Sequence, residues 1–234
     1  AAFKVLLFRY SGQEDLAVGA PIANRTQVEC EGLLGFFVNT LVLRTDLSGE
    51  PSFQELLARV REVTLGAYAH QDLPFEKLVE ELQPERNLSH NPLFQVMFVL
   101  QNLEDPGKVP QAAAPAGPQF SPGTSKFDLT LCATETADGL MAAFEYNTDL
   151  FDRESIEQRA AVFQTLLESI VARPDERISR LALLTAEGRQ RALAGISEGV
   201  DDTPRASFMH EICEARAAET PEAVAESFGG QQLT

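Results

Sequence analysis

Apolar positions recur along the chain with two different periods, and together these periods predict an α/β fold. Apolar residues spaced three and four apart predict helices over residues 2–10, 53–70, 155–171 and a short one from Pro74 to Pro84. Apolar runs rich in Val, Phe, Leu and Thr predict strands over residues 16–22, 33–43, 94–100, 127–134 and 140–148. Strands interleaved with helices predict a mixed-sheet sandwich in which helices cover the sheet.

Local signals place the ends of these elements. Ser11-Gly12 stops the first helix, Ser52 opens the second, and Asp152 is suited to cap the last. A loop is predicted over residues 24–32. The run FQVMFVL at 94–100 is continuously apolar, which predicts a strand that is buried on both faces.

Two stretches depart from the pattern. Residues 103–126 contain five prolines, three glycines and four alanines, a composition typical of a long loop that is either functional or disordered. Residues 172–205 are charged and rich in turn-forming residues, which indicates an interdomain linker.

We therefore predict a first domain over residues 1–182, a linker over 183–206 and the truncated start of a second domain over 207–234. The tail is predicted to form a helix and a short hairpin. Because the chain begins within a helix-like segment and ends within a strand-like one, we expect it to be a piece of a longer polypeptide.

The charge balance excludes some partners. Lys plus Arg is 19 and Asp plus Glu is 35, a net charge of −16. Such a chain repels nucleic-acid phosphates and anionic membrane surfaces, so we expect neither as a partner. Three scattered cysteines without a CxxC pair indicate a reducing compartment, here the cytoplasm, and no zinc site.

Asn39 is the most informative polar residue of the predicted strands. Alternation places it on one strand face with Phe37, Leu41 and Leu43. An amide among apolar neighbours needs hydrogen-bond partners. It can be structural, bonding nearby backbone, or functional, donating into a substrate channel, and the residues alone leave both alternatives open.

The histidines are better explained by structure than by catalysis. His70 and Asp72 are two residues apart, a spacing that does not form a dyad on a helix, and we expect Asp72 to accept N–H groups at the start of the next helix. His90, Asn91 and Pro92 precede a strand and predict a turn. His210 is expected at the surface of the tail. No nucleophile elbow, P-loop, dinucleotide fingerprint or metal-ligand spacing is present.

Three segments resemble the condensation domain of nonribosomal peptide synthetases, in that family's order. LGFFVNTLVLR at 34–44 is similar to the family's GxFVNT…R strand, HQDLPFE at 70–76 to HQDxPFE, and RNLSHNPL at 86–93 to RDxSxNPL. The matching positions are Gly35, Phe37, Val38, Asn39, Thr40, Arg44, His70, Gln71, Asp72, Pro74, Phe75, Glu76, Arg86, Asn91 and Pro92.

The resemblance implies one lobe of a fold similar to chloramphenicol acetyltransferase, with a tunnel between two lobes. It implies acyl transfer, in which an acceptor amine attacks a donor thioester and both arrive on phosphopantetheine arms of carrier domains. No cofactor is expected to bind this chain directly. The family's HHxxxDG motif is absent, so the chain resembles the C-terminal lobe alone, expected to be inactive without its N-terminal lobe.

The resemblance also assigns roles to particular residues. It gives Asn39 a place facing the tunnel and leaves the other matching residues structural, and it makes 103–126 the segment that crosses to the partner lobe. Residues 207–234 resemble the opening of an adenylation domain, which would follow in the same polypeptide. Two other interpretations remain: a condensation-like module that only recruits carrier domains or other partners, and the epimerisation sister domain.

Overall fold

The computed structural model describes residues 1–25, 28–84, 91–101, 124–136, 139–198, 209–221, 226–228 and 231–233. It contains two compact units, Ala1–Leu184 and Thr185–Thr234. The first unit contains α1 (Ala2–Ser11), β1 (Asp15–Ile22), α2 (Val28–Glu31), β2 (Asn39–Asp46), α3 (Phe53–Ala69), α4 (Phe75–Leu82), β3 (Val96–Gln101), β4 (Leu129–Thr136), β5 (Gly139–Tyr146) and α5 (Arg153–Ala172). The predicted crossing segment falls mostly outside the described residues.

The five strands of the first unit form one mixed sheet in the order β2-β1-β3-β4-β5. The β1–β2 and β4–β5 pairs are antiparallel, whereas β3 runs parallel to both β1 and β4. The prediction of a mixed α/β fold is confirmed. Both outer strands, β2 and β5, belong to antiparallel pairs.

The core lies between one face of the sheet and helices α1, α3 and α5. It contains Leu16 and Val18 from β1, Leu129 and Leu131 from β4, and the buried faces of the three helices. Rings from α1, β5 and α5 also meet there, with Phe3–Phe144 and Phe144–Phe163 centroids 6.4 and 6.1 Å apart. Burying this apolar surface holds the helices on the sheet.

The predicted helix ends are formed by the expected caps. Ser52 Oγ accepts from Glu55 N–H at 3.3 Å while Glu55 Oε2 accepts from Ser52 N–H at 2.8 Å, a reciprocal capping box at the start of α3. Asp152 Oδ1 accepts from Ser155 N–H at 2.7 Å. Gly12 takes the left-handed conformation at the end of α1.

Two strand predictions are corrected. β2 begins at Asn39 rather than at residue 33, because its partner β1 ends at Ile22, opposite Asn39. Beyond Ile22, Asn24 adopts a positive φ of 51° and the chain enters α2, within the predicted loop, so no partner strand continues. β3 is not buried on both faces: Met97 is buried, whereas Leu100 is 54% exposed.

A buried lysine joins α1 to the β1–β2 pair. Lys4 Nζ donates to the carbonyl oxygens of Leu16 and Leu43 at 3.1 and 2.6 Å and to Thr45 Oγ1 at 2.9 Å. Three acceptors match the three N–H bonds of an ammonium group. Burial lowers the pKa of Lys4 to about 8, and the nearby Asp15 carboxylate opposes that shift.

Residues 173–184, here called the return segment, supply partners to the start of α3. The N–H groups of Phe53 and Gln54 donate to the carbonyls of Glu176 and Pro174, each at 3.1 Å. These are donors that an α-helix leaves unpaired in its first turn. The return segment therefore supplies hydrogen-bond acceptors for the first turn of α3.

The return segment is also anchored in the core. Arg9 donates to the carbonyls of Ile178 and Leu181 at 3.2 and 3.0 Å, and Ser169 Oγ accepts from Ala182 N–H at 3.0 Å. Ile178 and Leu181 are 0% and 1% exposed. The part of the charged stretch that runs from residue 172 to residue 184 therefore belongs to the first unit and is not a linker.

The second unit contains α6 (Ala186–Glu198), α7 (Met209–Glu219) and a hairpin of β6 (Glu226–Phe228) and β7 (Gln231–Leu233). The helix and hairpin predicted for the tail are confirmed among the described residues. The residues assigned to the linker, 183–206, contain α6. The identities given to residues 1–182 and 207–234 stay predictions.

We predict that Ile178→Ala lowers the free energy of unfolding by about 2–4 kcal/mol, because it leaves a cavity under the return segment. Leu184→Ala, in the same segment but 46% exposed, is the matched control and should change it by less than about 0.5 kcal/mol. Urea denaturation followed by circular dichroism measures both. Equal, small effects would show that the return segment contributes nothing to the core.

Candidate functional site

Asn39 lies at the first position of β2 and uses its whole amide in hydrogen bonds. Its Nδ2 donates to the carbonyls of Gln71 and Leu73, both at 2.8 Å. Its Oδ1 accepts from the N–H groups of Thr40 and Phe75 at 2.9 and 3.1 Å. Two donors and two lone pairs are the full capacity of an amide, so it has no further N–H to offer a substrate.

These bonds support the structural alternative for Asn39. The register places Asn39 on the same sheet face as Leu41 and Leu43, the face on which α3 packs. Its partners belong to β2, to the turn between α3 and α4, and to the first residue of α4. That the side chain also borders the tunnel of an intact domain stays a prediction.

The turn at residues 70–74 corrects one predicted contact. Asp72 does not cap α4, whose N-cap is Pro74 without a side-chain bond. The Asn39 oxygen accepts the Phe75 N–H instead. His70 ends α3, and both His70 and Asp72 are exposed. Their side chains form no hydrogen bond with each other among the described residues, and their structural role stays a prediction.

Three phenylalanines form a cluster beside this turn. The Phe94 ring centroid lies 5.7 Å from Phe75 and 5.4 Å from Phe127. Phe94 is buried against Gly19 of β1, where an added Cβ would come within 2.2 Å of the ring. Sequence reasoning missed this cluster, although a glycine inside a predicted strand is a known signal of close packing.

Asn91 fixes the chain before β3. Its N–H donates to Gln95 Oε1 at 3.1 Å, and Gln95 Nε2 donates back to the Asn91 carbonyl at 2.9 Å. Asn91 Nδ2 also donates to the Lys126 carbonyl at 3.3 Å. The predicted turn at Asn91 and Pro92 is supported by these bonds, while Arg86 and His90 lie outside the described residues.

The remaining motif positions have separate roles. Arg44 forms a two-pronged ion pair with Asp15 on β1, with Nε–Oδ1 and Nη2–Oδ2 distances of 2.9 and 2.6 Å. The hydrogen bond from Arg44 lowers the pKa of Asp15, and that bond raises the pKa of Arg44. The guanidinium carbon of Arg25 lies over the Phe37 ring, 4.3 Å from the ring centroid. Glu76 is exposed.

Residues from two of the sequence motifs therefore meet in one assembly with neighbouring aromatic residues, here called the motif junction: Asn39, residues 71–75, Phe94 and Phe127, packed at Gly19. The junction is held by hydrogen bonds between the Asn39 side-chain amide and backbone groups, and by ring packing. Within the described residues, no group of three or more His, Cys, Asp or Glu side chains is placed to bind a metal ion. None of the described helices has the length and apolar character to cross a bilayer.

Known proteins resemble the chain over nearly its whole length. The family model described as Condensation domain matches residues 1–193. A linear gramicidin synthase polypeptide of Brevibacillus parabrevis is 54% identical over 234 residues, which are 99% of this chain and 3% of that protein. Tyrocidine synthase 3 of the same bacterium is 44% identical over 100% of this chain and 4% of its own length. The chain thus spans a small fraction of these relatives.

Solved structures agree with this match. A four-domain nonribosomal peptide synthetase bound to AMP and glycine is similar over 79% of this chain and 15% of its own, with 27% identity and a TM-score of 0.70. The X-domain from teicoplanin biosynthesis is similar over 78% of this chain and 42% of its own, with 33% identity and a TM-score of 0.68. A further structure holds that X-domain in complex with OxyB.

We predict that Asn39→Ala lowers the free energy of unfolding by about 1–3 kcal/mol, because it leaves two carbonyls and two N–H groups without their partner. Thermal denaturation of the chain measures this loss. Thr64→Ala, which removes one hydroxyl bond within α3, is the control and should have a smaller effect. Unchanged stability would contradict the structural role of Asn39 and would favour the alternative in which its side chain faces the tunnel.

We predict that Gly19→Ala destabilises the chain by about 1–3 kcal/mol, because the new methyl group overlaps the Phe94 ring. Gly66→Ala is the matched control, since nothing lies within 4 Å of its added Cβ in α3, and it should stabilise by up to about 1 kcal/mol. Adding Phe94→Leu to Gly19→Ala should recover part of the loss. Equal melting temperatures for the two single variants would contradict the close packing.

Proposed function

The chain belongs to the condensation-domain family of nonribosomal peptide synthetases, and from that membership we propose that it is the C-terminal lobe of a domain that forms amide bonds. The support is the family match over residues 1–193 together with the motif junction, in which residues of the matching motifs meet. The HHxxxDG motif is absent from the sequence. In this proposal the reacting centre needs residues of another lobe.

The proposed reaction is acyl transfer between two carrier-bound thioesters. The acceptor amine nitrogen attacks the donor thioester carbonyl, the new C–N bond forms and the C–S bond breaks. The donor sulfur leaves as a thiol with the proton that the amine loses. Phosphopantetheine enters as the arm of each carrier domain, and no cofactor is bound by this chain itself.

The contribution of this lobe is positional. An amine and a thioester that are held in line react far faster than the same groups in solution, so the walls of the site must be rigid. The motif junction supplies rigidity, because four hydrogen bonds of one amide fix the end of β2, the turn after α3 and the start of α4 relative to each other. Proton handling at the amine falls to the missing lobe.

Residues 207–234 are proposed to open an adenylation domain in the same polypeptide. The support is the sequence similarity of TPEAVA at 220–225 and GQQLT at 230–234 to such openings. Within the described residues, α7 and the β6–β7 hairpin are the elements that this proposal requires. The module order would be condensation followed by adenylation.

A second candidate is a recruiting module without condensation activity. It is favoured by the similarity to the teicoplanin X-domain, a structure of which contains OxyB. The two candidates differ in the missing lobe, where an intact HHxxxDG motif would support catalysis. The epimerisation alternative is disfavoured by the complete FVNT sequence at 37–40.

We predict that the chain alone forms no product, whereas the intact condensation domain that contains it does. Donor- and acceptor-loaded carrier proteins are incubated with each protein, and the peptidyl thioester is measured by mass spectrometry. The control is the intact domain with the first two motif histidines changed to alanine. Turnover by the chain alone would refute its placement as one lobe of a two-lobed site, and no turnover by the intact domain would favour recruitment.

A further inference from the structure

Residues 124–128, here called the re-entry segment, bring the chain back to the sheet before β4. β3 and β4 run parallel, with Val96 opposite Leu129 and Gln101 opposite Thr134. Two parallel strands begin at the same edge of a sheet, so the connection between them must return along the length of β3 before β4 can start. The re-entry segment is the described end of that connection.

Hydrogen bonds tie the re-entry segment to the residues that lead into β3. Asp128 N–H donates to the Gln95 carbonyl at 3.0 Å, and Asn91 Nδ2 donates to the Lys126 carbonyl at 3.3 Å. The entrances of the two strands are therefore bonded to each other before their regular pairing begins.

Phe94 joins the re-entry segment to the motif junction. Its ring stacks on that of Phe127, with centroids 5.4 Å apart and planes at 27°, and meets Phe75 edge-on at 5.7 Å and 63°. Phe94 is only 4% exposed, and its ring fills the space that Gly19 leaves by having no Cβ. Phe75, Phe94 and Phe127 are here called the aromatic column.

The aromatic column continues the hydrogen bonds of Asn39. Phe75 N–H donates to Asn39 Oδ1 at 3.1 Å, so one end of the column is fixed to the start of β2. The other end, Phe127, belongs to the re-entry segment. Contacts between rings favour particular angles and separations, which an aliphatic side chain of similar size does not impose.

We propose that Phe94 is a positioning residue of the condensation reaction, which acts through Phe75 and Phe127 to hold the re-entry segment at a fixed distance from the Asn39 amide. This inference rests on the proposed function. In that function the connection between β3 and β4 joins this lobe to the other, so a shift of its fixed end shifts the alignment of the two carrier arms. A misplacement of about 1 Å can lower a rate by about 100-fold.

Condensation kinetics of the intact domain test the proposal. Phe94→Leu keeps an apolar side chain but removes both ring contacts, and we expect kcat to fall at least about tenfold while KM for the carrier proteins stays within about twofold. Phe163→Leu is the matched control, because Phe163 is 9% exposed and packs edge-on against a different ring, Phe144. It should keep kcat within about twofold of the wild-type value, although it also removes a core ring. Equal losses of kcat in the two variants would overturn the proposal, because space filling would then explain both.

Variants of Phe127 test the other end of the aromatic column. Phe127→Leu removes the contact with the re-entry segment and leaves Phe94 in place, so it should lower kcat as Phe94→Leu does. Phe127→Tyr keeps the ring and should recover at least about half of the wild-type kcat. A wild-type kcat for Phe127→Leu would contradict the action of Phe94 through the re-entry segment.

Hydrogen exchange of the Asp128 amide, measured in the same intact domains, is independent of activity. Phe94→Leu should speed this exchange at least about tenfold, and Phe163→Leu should leave it unchanged. Unchanged exchange in Phe94→Leu would overturn the proposal. Absence of product from the wild-type domain would instead refute the proposed function, and the exchange data would still decide whether Phe94 holds the re-entry segment.

Discussion

The side-chain amide of Asn39 is the interaction on which the arrangement of the motif segments depends. β2 is an outer strand, and its first residue, Asn39, lies opposite Ile22, the last residue of its partner β1. The chain before Asn39 therefore has no neighbouring strand. The Asn39 amide supplies hydrogen bonds there instead. It donates to two carbonyls of the turn after α3 and accepts from the first N–H of α4. One amide group thereby fixes three chain segments relative to each other. An aliphatic residue could not replace it, because it can neither donate nor accept these hydrogen bonds.

Elsewhere in the first unit, polar contacts to backbone groups likewise join separate segments of the chain. Lys4 binds carbonyls of β1 and β2, Arg9 binds those of the return segment, and the return segment binds the free donors of α3. Each of these contacts joins residues far apart in sequence. Apolar burial supplies most of the stability, while these polar contacts fix which segment lies where.

This construction explains how the first unit is ordered by a core of its own. The core between α1, α3, α5 and the sheet is complete within residues 1–184. In the proposed reaction two carrier arms are held in line, and the rigid motif junction suits one wall of such a site.

The sequence by itself determined the α/β class, the helix caps at Ser52 and Asp152, the strands β1, β4 and β5, and the family, because periodicity, capping and motif order are local properties. Only the tertiary structure decided the hydrogen-bond partners of Asn39, the start of β2, the exposure of β3 and the burial of Lys4, Ile178 and Phe94. Those features depend on which distant backbone groups come within hydrogen-bond reach and on whether a neighbouring strand continues. A strand-forming segment becomes a strand only where a partner edge exists, and the sequence of the segment does not contain that partner.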